Sequence, residues 1–263
     1  MARRVVQVVA VVVEQAWRYP VKSLGGERVD ASWADAGGLL GDRVWAVQDG
    51  DGKLGSGKNT RRFKRMSGLL ELSARYPAGP LPLAGSGTGI QPPVVTGPDS
   101  TEYPVASGAA EEFLRRFTRL PQVRVRRDTG IMHFDEVPFS LVGTATLDWL
   151  AAQLPDVPVD ARRFRPNLVV RTAEPFAEES WVGHLVRIGT GPEAVHAMFD
   201  RVIERCVMVS MHQPGLPAAG SVLKRIAQRD DNPLRLAIGG HITRPGMVCT
   251  GAPILVSPLQ ARS

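Results

Sequence analysis

The stretch RVWAVQDGDGKLGS, at residues 43–56, is the clearest indicator of the fold in this 263-residue chain. Two short apolar runs flank Asp51-Gly52, and an Asp-Gly pair between such runs is typical of the turn of a β-hairpin. Short β-type runs separated by Gly, Pro and Asp recur along most of the chain. With 43% hydrophobic residues, the chain can bury a sizeable core as one large domain or two small ones.

Further strands are predicted where apolar, β-branched runs lie between turn residues. Many strands with few helices between them favour a mostly antiparallel barrel with peripheral helices. Residues 77–104 are rich in Pro, Gly, Ser and Thr, which indicates a long surface excursion or a hinge. The predicted later strands are LLELSARY (69–76), NLVVRT (167–172), HLVRIG (184–189), RCVMVSM (205–211) and APILV (252–256).

Helices are predicted at three places where apolar residues recur at helical spacing. In the first, acidic residues precede basic ones, which suits the helix dipole. In the second, Thr144 or Thr146 is predicted as the N-cap. The three segments are AAEEFLRRFTRL (109–120), TATLDWLAAQL (144–154) and SVLKRIAQ (221–228).

The first residues, MARRVVQVVAVVVEQAW (1–17), combine a basic start with an apolar run at Val5–Val13. The run is too short to span a bilayer, although it is long enough to imitate the core of a signal peptide. Seven of its nine residues are Val, and Val favours strands, so we predict a first strand. No other segment looks membrane-spanning, and no membrane partner is expected.

The composition limits the classes of ligand and the cellular compartment that can be expected for this chain. The chain has 27 Arg, 5 Lys and a formal net charge of +6, and the Arg fork suits phosphates and carboxylates. No run of Lys and Arg exceeds two residues, so no polybasic tail for nucleic acid is predicted. Cys206 and Cys249 are too few for a four-thiolate zinc or iron–sulfur site. A reducing cytoplasm is the expected location, since a chain of this size needs no disulfide.

Four segments place cations or a thiol in sterically tight surroundings. Any one of these arginines, taken alone, is more commonly a solvated surface charge, and Asn167 is equally consistent with a residue that caps its own loop. The candidates are Arg18, Lys22 and Ser23 in WRYPVKSLGGE (17–27), Arg43 in GGLLGDRVW (37–45), Arg165 and Asn167 in ARRFRPNLVV (161–170), and Arg205-Cys206.

Cys206 is open to two interpretations from the residues alone. A cysteine in an apolar strand is by default a buried, inert thiol. The neighbouring Arg205 favours the thiolate form and hence reactivity. Adjacent side chains of a strand point to opposite faces, so the pair shares a site only if a bend or bulge interrupts the strand.

In their order along the chain, these segments resemble the MOSC family, named for the C-terminal domain of molybdenum-cofactor sulfurase. YPVKSLGGE (19–27) and GLLGDRVWAVQDGDGK (38–53) are similar to the family's N-terminal β-barrel part. The resemblance implies a mostly β fold, with an N-terminal β-barrel part at residues 1–122 and a MOSC-type β-barrel at residues 123–263. The segments similar to the MOSC domain are VPFSLVGTATLDWL (137–150), RRFRPNLVV (162–170), EPFAEESWVGHLVRIG (174–189), RCVMVSM (205–211) and RPGMVCTGAPILV (244–256).

The resemblance also implies a cofactor, the molybdenum cofactor (molybdopterin), whose pterin holds the metal through a dithiolene and carries a phosphate tail. In the amidoxime-reducing members, the cysteine of the Arg-Cys pair is the protein ligand to molybdenum, which implies a metal-binding and catalytic role for Cys206. A soft thiolate suits a sulfur-rich metal centre. The residues implied as cofactor-binding are Lys22, Ser23, Arg43, Thr144, Arg165, Asn167 and Arg205.

One segment departs from the family pattern, and one basic stretch lies outside the segments that carry the resemblance. The closing segment usually reads Gly-Asp-Pro-Val, whereas this chain has GAPI with Ala252 in place of the acid. Lys58, Arg61 and Arg62, in GSGKNTRRFKRM (55–66), either widen an anionic pocket or form a basic surface loop, and we favour the loop.

Three functions are compatible with these residues. The leading one is a molybdenum-dependent oxidoreductase that reduces a small N-hydroxylated or N-oxide substrate. Its electrons would come from a separate donor, a ferredoxin or a reductase, since the chain lacks the cysteines of an iron–sulfur domain. The second is sulfur transfer by a persulfide on Cys206, loaded by a sulfur donor. The third is a non-catalytic cofactor carrier, which needs the cations but not Cys206.

Overall fold

The computed structural model describes residues 11–77, 90–127, 133–134 and 136–257. Strands dominate these residues, with three α-helices and four short 3₁₀ helices at Leu69–Glu71, Ala161–Arg163, Ala177–Trp181 and Val207–Ser210. The α-helices are α1 (Ala109–Thr118), α2 (Thr144–Gln153) and α3 (Gly220–Ala227). The strands are β1 (Val11–Arg18), β2 (Glu27–Val29), β3 (Ala31–Asp35), β4 (Gly38–Leu39), β5 (Trp45–Asp49), β6 (Leu54–Ser56), β7 (Phe63–Arg65), β8 (Ser73–Arg75), β9 (Val94–Thr96), β10 (Glu102–Pro104), β11 (Val123–Arg127), β12 (Phe139–Gly143), β13 (Leu168–Val170), β14 (Leu185–Ile188), β15 (Val195–Glu204), β16 (Arg235–Arg244), β17 (Gly246–Cys249) and β18 (Pro253–Ser257).

A closed barrel of seven strands forms the centre of the molecule. Its order is β13-β12-β16-β15-β14-β18-β1, and β1 closes the ring by pairing antiparallel with β13. Neighbouring strands run antiparallel except β12 and β13, which are parallel. In β12, Phe139 and Leu141 point into the barrel core while Val142 packs beneath α2 with Leu150. This alternation explains why every residue of β12 is buried. The predicted mostly β barrel with peripheral helices is confirmed.

Smaller sheets, β11-β5-β6-β7 and β10-β9-β8, surround a second core that α1 covers through Leu114; β5 to β10 belong to the predicted N-terminal part, and β11 follows its boundary. The predicted hairpin is confirmed, because β5 and β6 pair antiparallel through Gln48 and Leu54. Asp49 organises its turn: Oδ1 accepts hydrogen bonds from the backbone N–H of Asp51 (3.0 Å) and of Lys53 (2.9 Å).

Strands from the two predicted parts share sheets. The N-terminal strand β1 belongs to the barrel that residues 139–257 otherwise form, and β17 pairs with β3 of the N-terminal part. The boundary between residues 122 and 123 stays a prediction. Only Val11–Val13 of the predicted first strand lie within the described residues, where they begin β1. In the predicted excursion, residues 78–89 lie outside the described part, and β9 and β10 follow them.

The helix predictions are confirmed, but three local predictions are wrong. The N-cap of α2 is Gly143, so neither threonine caps the helix, and Thr146 instead donates to Glu178 Oε1 (2.8 Å). Residues 69–71 form a 3₁₀ turn, so the predicted strand at residues 69–76 is reduced to β8. The predicted strand at 205–211 is a 3₁₀ helix, because the chain leaves the barrel after Glu204 and packs against α3. There tertiary packing overrides the strand propensity of the Val-rich run.

Candidate functional site

A cavity of about 460 Å³ lies between the N-terminal sheets and the end of the barrel. Its wall is formed by loops after β1, β4 and β15 and before β13, so it draws on residues far apart in sequence. Among the described residues the wall is strongly basic, and its acids there are Glu136 and Glu204. This excess of positive charge suits a ligand that carries negative charge. The basic side chains of the wall are Lys22, Arg43, Lys58, Arg62, Arg163, Arg165 and Arg205.

Two of these cations are stacked on one buried ring. The Cζ atoms of Arg43 and Arg165 lie 4.7 Å and 4.3 Å from the centroid of Tyr19. The ring is fixed at both ends, since its hydroxyl donates to the carbonyl of Pro166 (3.1 Å) and its backbone N–H to Asp42 Oδ1 (2.7 Å). Burial raises the pKa of Tyr19 well above its usual range, so the phenol stays neutral. The guanidinium groups are thereby held in place before any ligand binds.

Both guanidinium groups also have polar partners. Arg43 pairs through Nη1 with the buried Asp42 and donates through Nη2 to the carbonyl of Arg165 (2.9 Å). Arg165 donates to the carbonyl of Leu24. These bonds tie the loop before β5 to the loop before β13 and leave the planar forks oriented, as recognition of a phosphate or carboxylate requires.

The backbone at the cavity wall is strained. Ser23, Arg43 and Arg165 adopt left-handed conformations with φ of 66°, 52° and 53°. Such conformations cost a non-glycine residue on the order of 1 kcal/mol and persist where surrounding contacts enforce them. Three of the eight such residues in the described part of the chain therefore lie on this wall. Strain of this kind concentrates at ligand-binding sites.

Arg205 and Cys206 stand where the barrel strand ends. The backbone N–H of Arg205 donates to Leu234 O (2.7 Å), Nε to Leu236 O (2.7 Å) and Nη1 to Phe164 O (3.1 Å). Its Nη2 is buried and has no hydrogen-bond partner among the described residues. Burial lowers the pKa of Arg205 to about 10, which leaves the guanidinium charged at neutral pH.

Cys206 is exposed at the same wall. Because β15 ends at Glu204, strand alternation no longer separates the two side chains, and both line the cavity. The condition for a shared Arg-Cys site is therefore met.

Lys22 is buried in the same wall, with 3% of its surface exposed. Its Nζ donates to the carbonyl of His133 (3.1 Å) and lies 5.1 Å from the centroid of Phe63. The same ring has Lys58 Nζ at 5.6 Å and Arg62 Cζ at 5.5 Å. Phe63 therefore gathers three cations at one side of the cavity.

Two of the predicted cofactor residues do not line the cavity. Asn167 is buried behind it, where Oδ1 accepts from the backbone N–H of Ser140 (3.1 Å) and Nδ2 donates to Trp17 O (3.4 Å). Thr144 begins α2 and accepts from the backbone N–H of Thr172 (3.2 Å). Both side chains therefore join elements of the fold, and their role toward a cofactor stays a prediction.

Family models account for most of this architecture. Residues 10–75 match the MOSC N-terminal beta barrel domain, and residues 128–255 match the MOSC domain. The chain belongs to the MOSC family. The resemblance carried by the quoted segments is thus confirmed, together with the N-terminal β-barrel part that it implied.

Among similar proteins, human mitochondrial amidoxime-reducing component 1 is 29% identical over 208 residues, which cover 68% of this MOSC chain and 61% of the human one. Molybdenum cofactor sulfurase of Oryza sativa subsp. japonica is 27% identical over 246 residues, covering 78% of this chain and 28% of the sulfurase. The chain thus spans about 61% of the human relative and 28% of the sulfurase, less than two thirds of either. The crystal structure of the YUAD protein from Bacillus subtilis superposes with a TM-score of 0.50 at 15% identity, covering 96% and 98% of the two chains.

The MOSC cavity also contains residues that the sequence did not reveal. For Lys58 and Arg62 the sequence left a pocket wall or a surface loop open, and our preference for the loop alone was wrong, because both side chains line the cavity. Arg163 lies within the recognised segment at residues 161–170, two positions before the predicted Arg165, and this place in the segment was the signal that could have found it. Ser56, Glu136 and Ser140 carried no signal of their own. No cluster of three or more His, Cys, Asp or Glu side chains suited to a metal ion occurs in the described ranges.

Proposed function

We propose that this MOSC protein binds molybdenum cofactor in the basic cavity and reduces N-hydroxylated or N-oxide substrates. The observation that carries the proposal is the exposed Cys206 beside a half-buried Arg205, whose buried Nη2 has no hydrogen-bond partner among the described residues, in a strongly basic wall. The similarity to an amidoxime-reducing component and to a molybdenum cofactor sulfurase supports it.

The residues present fit this cofactor. Its phosphate tail is anionic, and the wall offers oriented forks at Arg43 and Arg165 for it. The buried Nη2 of Arg205 needs an acceptor, which an oxygen or ring nitrogen of a pterin supplies. Cys206 adds one soft ligand to a metal already held by dithiolene sulfur. The cavity volume of about 460 Å³ lies in the range of sites for small cofactors.

Each side chain then has a defined task. The stacked arginines position the anionic tail, Arg205 orients the pterin edge, and Cys206 ligates the metal. When bound, the cofactor supplies a two-electron redox centre. The overall reaction converts R–NH–OH, two electrons and two protons into R–NH₂ and water, with the N–O bond broken and nitrogen reduced. The electrons come from a separate ferredoxin or reductase.

Metal and pterin analysis tests the proposal. Wild-type protein from a host that makes the cofactor is expected to contain both molybdenum and pterin, and Cys206→Ala to lose the metal or most of its activity. Activity is measured as reduction of an aromatic amidoxime with a reduced viologen dye. The matched control is Cys249→Ala, which removes the other free thiol from a half-buried position in β17.

Other outcomes favour the alternatives. Absence of metal and pterin together with cyanide-labile sulfur on Cys206 supports a persulfide carrier, for which the exposure of Cys206 is suitable. Retained cofactor and unchanged behaviour in Cys206→Ala support a non-catalytic carrier. Either result contradicts the proposed reductase.

A further inference from the structure

A second cavity of about 320 Å³ adjoins the basic one, and Ser23 and Met208 belong to both walls. It differs sharply in polarity. Among the described residues its charged wall side chains are one cation and one anion, Arg65 and Glu71, so their charges balance. The apolar residues of its wall are Met66, Leu69, Leu70, Met208, Met211 and Ala218, and we call this space the methionine cavity.

The 3₁₀ helix at Val207–Ser210 divides the two cavities. A 3₁₀ helix has three residues per turn, so side chains three positions apart share a face. Cys206 and Val209 line only the basic cavity, Met211 lines only the methionine cavity, and Met208 lies on both walls. The helical bonds follow the same spacing, from Val209 N to Cys206 O and from Met211 N to Met208 O, both 3.2 Å. Cys206 therefore lies one short turn from the apolar space.

Two glycines make room for the sulfur atoms. A Cβ on Gly57 would lie 2.3 Å from Met208 Sδ and 2.9 Å from Met211 Sδ. A Cβ on Gly55 would lie 2.9 Å from Met66 Sδ. Bare backbone at β6 and just after it thus lets three thioethers pack closely. Thioether side chains are unbranched and polarisable, and they adapt to apolar ligands of different shape.

We infer that the methionine cavity binds the neutral apolar or aromatic portion of the substrate whose N–O group occupies the basic cavity. The inference rests on the proposed reduction. Ser23 and Met208 lie on both walls, so the two spaces are neighbours with Met208 between them. The Met208 side chain is unbranched and adaptable, and a change of its rotamer would let one molecule reach both. The contrast in polarity assigns the polar N–O head to the basic cavity and the apolar body to the methionine cavity. Burial of apolar surface is favourable there, whereas in the basic cavity it would leave charged side chains buried without a partner.

Direct binding of a neutral naphthalene dye tests the apolar site without any turnover. Ser67 and Ala218 are exposed at the rim, so Ser67→Trp and Ala218→Trp fill the cavity from outside with little effect on folding. Wild type is expected to bind the dye, and the dissociation constant of each variant is expected to be about tenfold higher or more. Ala106→Trp, at an exposed position before α1 that lines neither cavity, is expected to match wild type. No dye binding by wild type, or equal binding by all variants, overturns the inference.

A substrate series separates this inference from the proposed reaction. With an aryl amidoxime, Ala218→Trp is expected to raise KM about tenfold, while KM for a methyl amidoxime stays unchanged. If no amidoxime is reduced but the tryptophans still block the dye, the reduction fails and the apolar site stands. If amidoximes are reduced but KM for the aryl substrate is the same in wild type, Ser67→Trp and Ala218→Trp, the methionine cavity does not bind the substrate and the inference fails.

Discussion

Arg205 and Cys206 are adjacent in sequence and both line one basic cavity, although adjacent residues of a strand would point to opposite faces. The strand ends one residue earlier, at Glu204, and Cys206 opens a 3₁₀ turn instead. A half-buried guanidinium and an exposed thiol are thereby presented to the same space. The predictions below test the walls of that space and the fold that holds them.

Arg62 is expected to contribute to anion binding, because it lines the cavity and lies against Phe63. Arg62→Gln should lower the amount of cofactor, measured as pterin per chain, that survives dialysis at high salt. The neighbouring Arg61→Gln is the control, since Arg61 is exposed and does not line the cavity. Equal retention in the two variants would show that the stretch acts only as a surface loop.

Tyr19 is expected to be a positioning residue for Arg43 and Arg165. Tyr19→Phe keeps the stacking face and loses one hydrogen bond to Pro166 O, at a cost of about 1 kcal/mol in the free energy of unfolding. Tyr19→Leu removes the ring as well, and it should both destabilise by about 2–4 kcal/mol and release the pterin. Denaturant unfolding and pterin content measure the two effects. Equal pterin content in Tyr19→Leu and Tyr19→Phe would contradict the positioning role of the Tyr19 ring.

Glu178 is expected to make stability pH-dependent. It is fully buried, accepts from Gly143 N (3.0 Å) and Thr146 Oγ1 (2.8 Å), and burial raises its pKa above the usual carboxyl range. The folded state then binds the proton more tightly than the unfolded state. Its contribution is full below the unfolded pKa and is lost as pH rises through the folded pKa, by about 1.4 kcal/mol per unit of difference.

Glu178→Gln removes this titration while keeping a hydrogen-bond acceptor for Gly143. The stability of the variant relative to wild type should therefore increase between pH 4 and neutral pH, as measured by urea unfolding at each pH. A difference that stays flat over that interval would show that the folded and unfolded pKa values of Glu178 coincide.

Gly38 is expected to resist substitution for two reasons. Its φ is 95°, and an added Cβ would lie 2.2 Å from the carbonyl oxygen of Pro138, which precedes β12. Gly38→Ala should cost about 2 kcal/mol or more, because both strain and a backbone clash arise. Gly52 has φ of 78° with open space around it, so Gly52→Ala should cost only about 1 kcal/mol. Thermal unfolding of Gly38→Ala and Gly52→Ala separates the cost of backbone strain from the cost of the clash with Pro138. An equal loss of stability in the two variants would show that the clash contributes nothing.

The strands and helices of this protein follow largely from local sequence. Asp49 and the Asp-Gly pair specify the β5–β6 turn through bonds within five residues, and α1 shows its apolar spacing openly. Such features depend on contacts between residues close in the chain, and a pattern of side chains encodes them directly. The Arg and Cys segments were recognisable only as a set, through the resemblance of their order along the chain to the MOSC family.

Tertiary structure decided the rest. Whether residues 205–211 continue the strand depended on packing against α3, which local propensity does not contain. Stacking of Arg43 and Arg165 on Tyr19 joins positions more than a hundred residues apart, and so does the β1–β13 pairing that closes the barrel. Asn167 was recognisable in the sequence, yet it lies behind the cavity wall. Met208 was not recognisable, yet it lines both cavities. Side-chain direction at a site follows from how distant elements meet, and that is set only when the core closes.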